Sequence, residues 1–125
     1  MFHKVLIANR GEIALRIVRA LQDLGLPSLV VYADDDAQAP HVRSADQAVA
    51  LGASGPAAYL DGARLLAIAR THGADALHPG YGFLAERADF ARDCAAAGVR
   101  FIGPTPEQLA LCGDKAQARA LAERC

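Results

Sequence analysis

Two hydrophobic spacings alternate along this chain, and each switch between them marks an element. Residues 5–8, Val-Leu-Ile-Ala, form an apolar run with no polar alternate. Such a run predicts a strand buried on both faces. The chain turns at Asn9-Arg10-Gly11, and from Glu12 the spacing becomes helical. Ile13, Ile17, Leu21 and Leu24 fall on one side, with Ala14 and Val18 beside them. A buried strand feeding an amphipathic helix is the first half of a βαβ unit.

The alternation then repeats. Gly25-Leu26-Pro27 stops the first helix. Residues 28–32, Ser-Leu-Val-Val-Tyr, read as a second buried strand, and 33–40 as a polar loop. Residues 41–45 suit one helical turn, 47–51 a short third strand and 52–57 a loop. A second long helix is expected over 60–71, with Leu65, Leu66 and Ile68 as its apolar body and Gly73 as its stop. Residues 75–78 give a fourth strand, which enters the loop Pro79-Gly80-Tyr81-Gly82-Phe83. A third helix is expected over 86–97, with Phe90 and Cys94 on one face, and a fifth strand over 99–102. Thr105-Pro106-Glu107-Gln108 is a capped helix start, Gly113 its stop, and Asp114-Lys115-Ala116-Gln117 a second capping box. That last helix reaches Cys125 without a glycine or proline stop, which reads as a fragment cut inside an element.

This order predicts an α/β fold: a Rossmann-like, mainly parallel sheet with helices on both faces and right-handed crossovers. A central first strand gives the order 3-2-1-4-5, with ligands gathering beyond the carboxyl ends of the strands.

Bulk properties narrow the class. The chain has 125 residues, one domain's worth, with 53% apolar and 22% charged residues. A net charge of −1 gives no footprint for nucleic acid or an anionic membrane. No apolar run approaches the ~20 residues of a membrane helix, and the N-terminus lacks a signal-peptide pattern, so a cytoplasmic protein is expected. The three cysteines, Cys94, Cys112 and Cys125, are widely spaced, which disfavours disulfides or zinc. Cys94 reads as a small core residue.

Three loops lie at the expected carboxyl edge. Asn9-Arg10-Gly11-Glu12 offers a cation and helix amides to an anion, or else a turn with a surface or interdomain salt bridge. It holds one glycine of the three that a dinucleotide fingerprint needs, which argues against NAD, although Asp34 sits where a ribose-binding acid would. Asp34-Asp35-Asp36 reads as a solvated loop rather than a metal or phosphorylation site. The loop 78–86 reads equally as a tight structural turn or a binding loop whose two glycines, flanking Tyr81, allow close approach; His78 reads as a hydrogen-bonded structural residue. Glu12, Arg16, Arg19 and Asp23 form a charged stripe, a solvent face or a polar subunit contact. Lys115 opens a predicted helix against its dipole, as an ordinary surface residue or a phosphate-binding one.

Four stretches are jointly familiar. Residues 4–17 (Lys-Val-Leu-Ile-Ala-Asn-Arg-Gly-Glu-Ile-Ala-Leu-Arg-Ile), 76–86 (Ala-Leu-His-Pro-Gly-Tyr-Gly-Phe-Leu-Ala-Glu), 101–107 (Phe-Ile-Gly-Pro-Thr-Pro-Glu) and 113–115 (Gly-Asp-Lys) closely resemble the N-terminal domain of biotin carboxylase. That domain starts the acyl-CoA, acetyl-CoA and pyruvate carboxylases, and the resemblance covers essentially the whole chain in order. It implies a pre-ATP-grasp domain over 1–113 and the truncated start of the ATP-grasp portion over 114–125. It implies an ATP-dependent ligase in which bicarbonate is activated as carboxyphosphate and carboxylates biotin on a carrier protein, with Mg2+ or Mn2+ on the phosphates. By the same resemblance, Lys115 matches a lysine that contacts ATP, and Tyr81 and Gly82 match a loop facing biotin. Arg16 and Arg19 lie on the helix of a homodimer contact, with Asp23 standing where the family usually has glutamate. Expected partners are the biotin carrier and the carboxyltransferase component. The ATP lid, the metal-binding glutamates and the bicarbonate arginine lie further along in the family, so no catalytic or metal residue is expected here, and the isolated chain is expected to be inactive. Two other readings compete: a freestanding Rossmann-like binding or scaffolding module, and an NAD-dependent oxidoreductase domain.

Overall fold

A computed structural model describes residues 3–80, 84 and 87–102. The expected helices beginning at Thr105 and Asp114, together with Gly103, Pro104 and Gly113, lie outside the described residues. Five strands form one sheet in the order β3-β2-β1-β4-β5: β1 Val5–Ile7, β2 Ser28–Tyr32, β3 Gln47–Ala50, β4 Ala76–His78 and β5 Arg100–Phe101. Every neighbouring pair is parallel, and β1 sits in the middle, its Val5, Leu6 and Ile7 facing Ser28, Leu29 and Val30 on one side and Ala76, Leu77 and His78 on the other. The expected order and direction of the strands are therefore those observed.

The pleat sorts the strand residues into two cores. Val5, Ile7, Val30 and Ala76 pack with Ala14, Val18 and Leu21 of α1 (Gly11–Leu24). Leu6, Leu29, Val31 and Leu77 pack on the opposite face with Leu65 and Ile68 of α3 (Gly62–His72) and Phe90 and Cys94 of α4 (Ala88–Ala96). The short α2 (Pro40–Ser44) lies with α1, Ala45 joining the same core. Both faces of β1 are covered, so its side chains need no polar alternate. Each such aliphatic residue, taken out of water, contributes about 1.5–3 kcal/mol.

The helix starts differ from expectation in one instructive place. Residues 60–71 do not begin as one helix: Pro56–Leu60 is a 3-10 turn, and α3 begins only at Gly62. Asp61 separates the two, its carboxylate accepting the Arg64 N–H at 3.1 Å as an N-cap. Likewise Asp34–Asp36 is a 3-10 turn within the expected loop. The expected glycine stops are observed at Gly25 and Gly73, both left-handed at the helix end.

The face that α1 buries is rotated from the expected stripe. Ala14, Leu15, Val18 and Leu21 are its buried residues, while Ile13 and Ile17 are half-buried and Leu24 is 72% exposed. The helix packs Ala14, Val18 and Leu21 with Val5 and Ile7 of β1. Its bulkier flank, Ile13, Ile17 and Leu24, lines an open groove of about 820 Å³ with His78, Gly80 and Ile102.

Gly62 shows how tightly the other core is filled. A Cβ there would stand 2.6 Å from Cδ1 of Phe90. The Phe90 ring cannot swing away freely, since it is buried and lies edge-on to Phe101 at 6.2 Å. Gly62→Ala is expected to cost about 1–3 kcal/mol, read as a lower urea midpoint at unchanged slope; a midpoint equal to wild type would show that the ring yields.

Candidate functional site at the carboxyl edge of the sheet

The chain leaves β1 through Ala8 and Asn9, both buried, and reaches α1 at once. Asn9 is 1% exposed. Its Nδ2 donates to the Pro79 carbonyl at 2.7 Å, and its Oδ1 accepts the Arg10 N–H at 2.8 Å. Arg10 is extended, and Gly11 takes φ +63° to start the helix. The short connection thus leaves little slack between strand and helix.

The Arg10 guanidinium reaches sideways to the loop after β2. Its Nη2 donates to Asp36 Oδ1 at 2.7 Å, and it lies 5.9 Å from the Tyr59 ring centroid. Tyr59 is fully buried; its hydroxyl donates to Asp36 Oδ2 at 2.7 Å and accepts the Ala33 N–H at 3.0 Å. One carboxylate therefore joins the exits of β1 and β2 to the turn before α3. Burial works against the Asp36 charge, but the hydrogen bonds from Arg10 and Tyr59 outweigh it and hold the carboxyl below the usual aspartate range. Burial, above all, drives the Tyr59 hydroxyl far up, so it stays a donor.

These contacts change two readings of the loops. The acid run is not uniformly solvated: Asp34 and Asp35 are exposed, but Asp36 is the inward one, and Asp35 Oδ1 accepts the Gly55 N–H at 3.0 Å. The reason is the 3-10 turn, which aims successive side chains in different directions. Arg10 makes a salt bridge with Asp36, within the domain rather than between domains. Tyr59 and His41 were missed by sequence reasoning. Tyr59 meets Asp36 from 23 residues away, which no local pattern reveals. A tyrosine standing between a Gly-Pro pair and a helix start was the faint signal.

His41, on α2, is fully buried, with Nε2 3.4 Å from the Val31 carbonyl and Nδ1 without a partner among the described residues. His78 has the hydrogen-bonded role expected of it: its Nδ1 accepts the Gly80 N–H at 3.1 Å. Burial lowers the pKa of both histidines. Burial likewise pushes the Cys94 thiol up to about 12, in keeping with a packed, unreactive core cysteine.

Of the site residues singled out in the sequence, Arg16 and Arg19 are exposed on α1. Arg16 Nε stands 3.4 Å from Glu12 Oε1 with both side chains in water, a weak pair. Arg19 and Asp23 make no ion pair with each other. Tyr81, Gly82 and Lys115 lie outside the described residues. Among the described residues, no three His, Cys, Asp or Glu side chains gather to hold a metal ion, and no helix is long and apolar enough to cross a membrane.

The fold defines a parallel α/β domain whose carboxyl-edge loops are tied to one another. Comparison with known proteins makes this specific. The family described as "Biotin carboxylase, N-terminal domain" matches residues 1–109. The chain belongs to that family. The "Biotin-dependent acyl-coenzyme A carboxylase alpha3 subunit" of Mycobacterium leprae is 56% identical over 97% of this chain, which spans 20% of that protein. A structure titled "Biotin Carboxylase domain of single-chain bacterial carboxylase" is 62% identical, with a TM-score of 0.91 over 97% of this chain and 28% of its own. The biotin carboxylase domain of the Hydrogenobacter thermophilus 2-oxoglutarate carboxylase, solved as a dimer with MgADP, ADP and bicarbonate, is 45% identical with a TM-score of 0.92 over 99% of this chain and 27% of its own.

Two outcomes test the network. Tyr59→Phe leaves the Ala33 N–H without that acceptor and takes one donor from Asp36, a cost expected near 1–3 kcal/mol in chemical denaturation. The pH dependence has two stages. His41 and His78 bind protons less readily folded than unfolded, so stability is full above about 6.5 and falls as pH drops below it. Asp36 releases its proton more readily folded, so its contribution is present above about 4 and is lost as pH falls further. A denaturation midpoint that stays flat from pH 7 to pH 5 would contradict the first stage.

Proposed function

We propose that this chain is the N-terminal part of a biotin carboxylase that uses ATP and bicarbonate to carboxylate biotin on a carrier protein. The observation that carries the reading is the 62% identity and 0.91 TM-score to a biotin carboxylase domain over 97% of this chain. The chain spans 28% of that structure, and in this reading most of the ATP, metal and bicarbonate machinery belongs to the rest of the enzyme. In this reading residues 1–113 are the pre-ATP-grasp domain, and the ATP-grasp portion begins at Asp114.

Lys115 contacts the ATP phosphates, whose charge Mg2+ or Mn2+ lowers when bound. In this reading the metal's ligands belong to the rest of the enzyme. Tyr81 and Gly82 face biotin. Arg16 and Arg19 contribute to a homodimer contact; their exposure on α1 and the weak Glu12 pair leave both guanidinium groups open to a partner. The carrier and a carboxyltransferase component complete the assembly, which the reading places in the cytoplasm.

Bicarbonate-dependent ATP hydrolysis tests this. The complete protein is expected to release ADP only with bicarbonate, and faster with biotin, whereas the 125-residue chain alone is expected to release none. Lys115→Ala in the complete protein is expected to raise the KM for ATP at least tenfold with the melting temperature unchanged. A complete protein that hydrolyses no ATP under these conditions would overturn the reading.

A further inference from the structure

The backbone ladder between β1 and β4 makes its last rung where the Ala8 N–H donates to the His78 carbonyl at 2.9 Å. Beyond it the two chains part, one into α1 at Gly11 and the other into the turn at Pro79-Gly80. The Asn9 side chain adds one more rung, its Nδ2 donating to the Pro79 carbonyl at 2.7 Å. The Arg10 N–H on Oδ1 fixes which way the carboxamide points. Arg10 is itself held by Asp36, so the amide is braced from the β2 loop as well.

Gly80 closes the arrangement from the other side. It has φ +68°, and a Cβ there would stand 2.7 Å from Asn9 Nδ2 and 2.8 Å from Ile13 Cγ2. The Gly80 backbone thus lies directly against the Asn9 amide, and its N–H is taken by His78 Nδ1 at 3.1 Å. A residue needed at position 9 only for packing would be apolar, as are the four before it. Burying a carboxamide there is unfavourable unless its hydrogen bonds are made, and those bonds determine the position of Pro79 and Gly80.

We propose that Asn9 is a positioning residue for biotin carboxylation: its carboxamide sets where the chain leaves β4, and with it where the loop that follows Gly80 begins. The inference rests on the reading that this chain belongs to a working biotin carboxylase whose glycine-rich loop faces biotin. Asn9 acts through Pro79 and Gly80, so it governs use of biotin and leaves ATP handling alone.

The test is Asn9→Asp in the complete enzyme. The substitution is isosteric and keeps the acceptor for the Arg10 N–H, but it replaces the donor to Pro79 with a second acceptor. The kcat/KM for biotin is expected to fall at least tenfold, while the KM for ATP and the bicarbonate-dependent ATP hydrolysis without biotin stay within twofold. Amide exchange at Gly80 is expected to speed up at least tenfold, with Leu29 and Val30 in β2 unchanged. Gly80→Ala, which presses on the same contact from the other side, should reproduce the biotin-specific loss. Equal losses for ATP and biotin, or unchanged biotin kinetics, would overturn the positioning role. Unchanged exchange at Gly80 would remove the clamp itself. A wild-type enzyme without biotin-dependent turnover would instead remove the functional reading, and the positioning role with it.

Discussion

A carboxylate drawn partly out of water must be answered by donors, and Asp36 is answered twice. Arg10 comes from the exit of β1 and Tyr59 from the turn before α3, while Asp36 follows β2. Three connections that are distant in sequence are therefore held by one group. Losing either donor would leave a charge that burial alone disfavours. Tyr59 extends the constraint further, because its hydroxyl also takes the Ala33 N–H at the end of β2. Asn9 does the same on the other side of β1 by reaching Pro79. The exits of β1, β2 and β4 thus behave as one unit.

The position of this unit follows from the central place of β1. A parallel strand with neighbours on both sides and helices on both faces has nowhere to put a polar side chain except at its end. Asn9 is the first such residue after the apolar run, and it is buried because α1 begins two residues later. Among the described residues, Asn9, Arg10, Asp36 and Tyr59 hold the loops of this edge to one another. The chain spans 28% and 27% of two biotin carboxylase domain structures that it matches.

Much of this was legible in the sequence. The five strands, their parallel order and the glycine stops followed from apolar runs, the change of spacing and Gly25 and Gly73. Phe90 and Cys94, four apart, were readable as one buried face of α4. The site was less legible. The two glycines flanking Tyr81 marked a tight structural turn or a binding loop, and at the first of them, Gly80, the backbone lies close against Asn9 and Ile13. The family resemblance rested on the motifs themselves, and the match over residues 1–109 shows it.

Local spacing determined which residues form strands and helices, because period and capping act over a few neighbours. It limited the sheet to a few parallel orders, since crossovers are right-handed, and the central place of β1 in the observed order is a tertiary result. Only tertiary structure decided which flank of α1 is buried, since Ile13-Ile17-Leu24 and Ala14-Val18-Leu21 are both apolar. Ala14, Leu15, Val18 and Leu21 are buried, while Ile13 and Ile17 are half-buried and Leu24 is exposed. Tertiary structure alone also separated Asp36 from Asp34 and Asp35. In sequence the three are equivalent acids; in the fold, one meets an arginine and a tyrosine brought from distant segments, and electrostatics over a few ångströms gives it a different role.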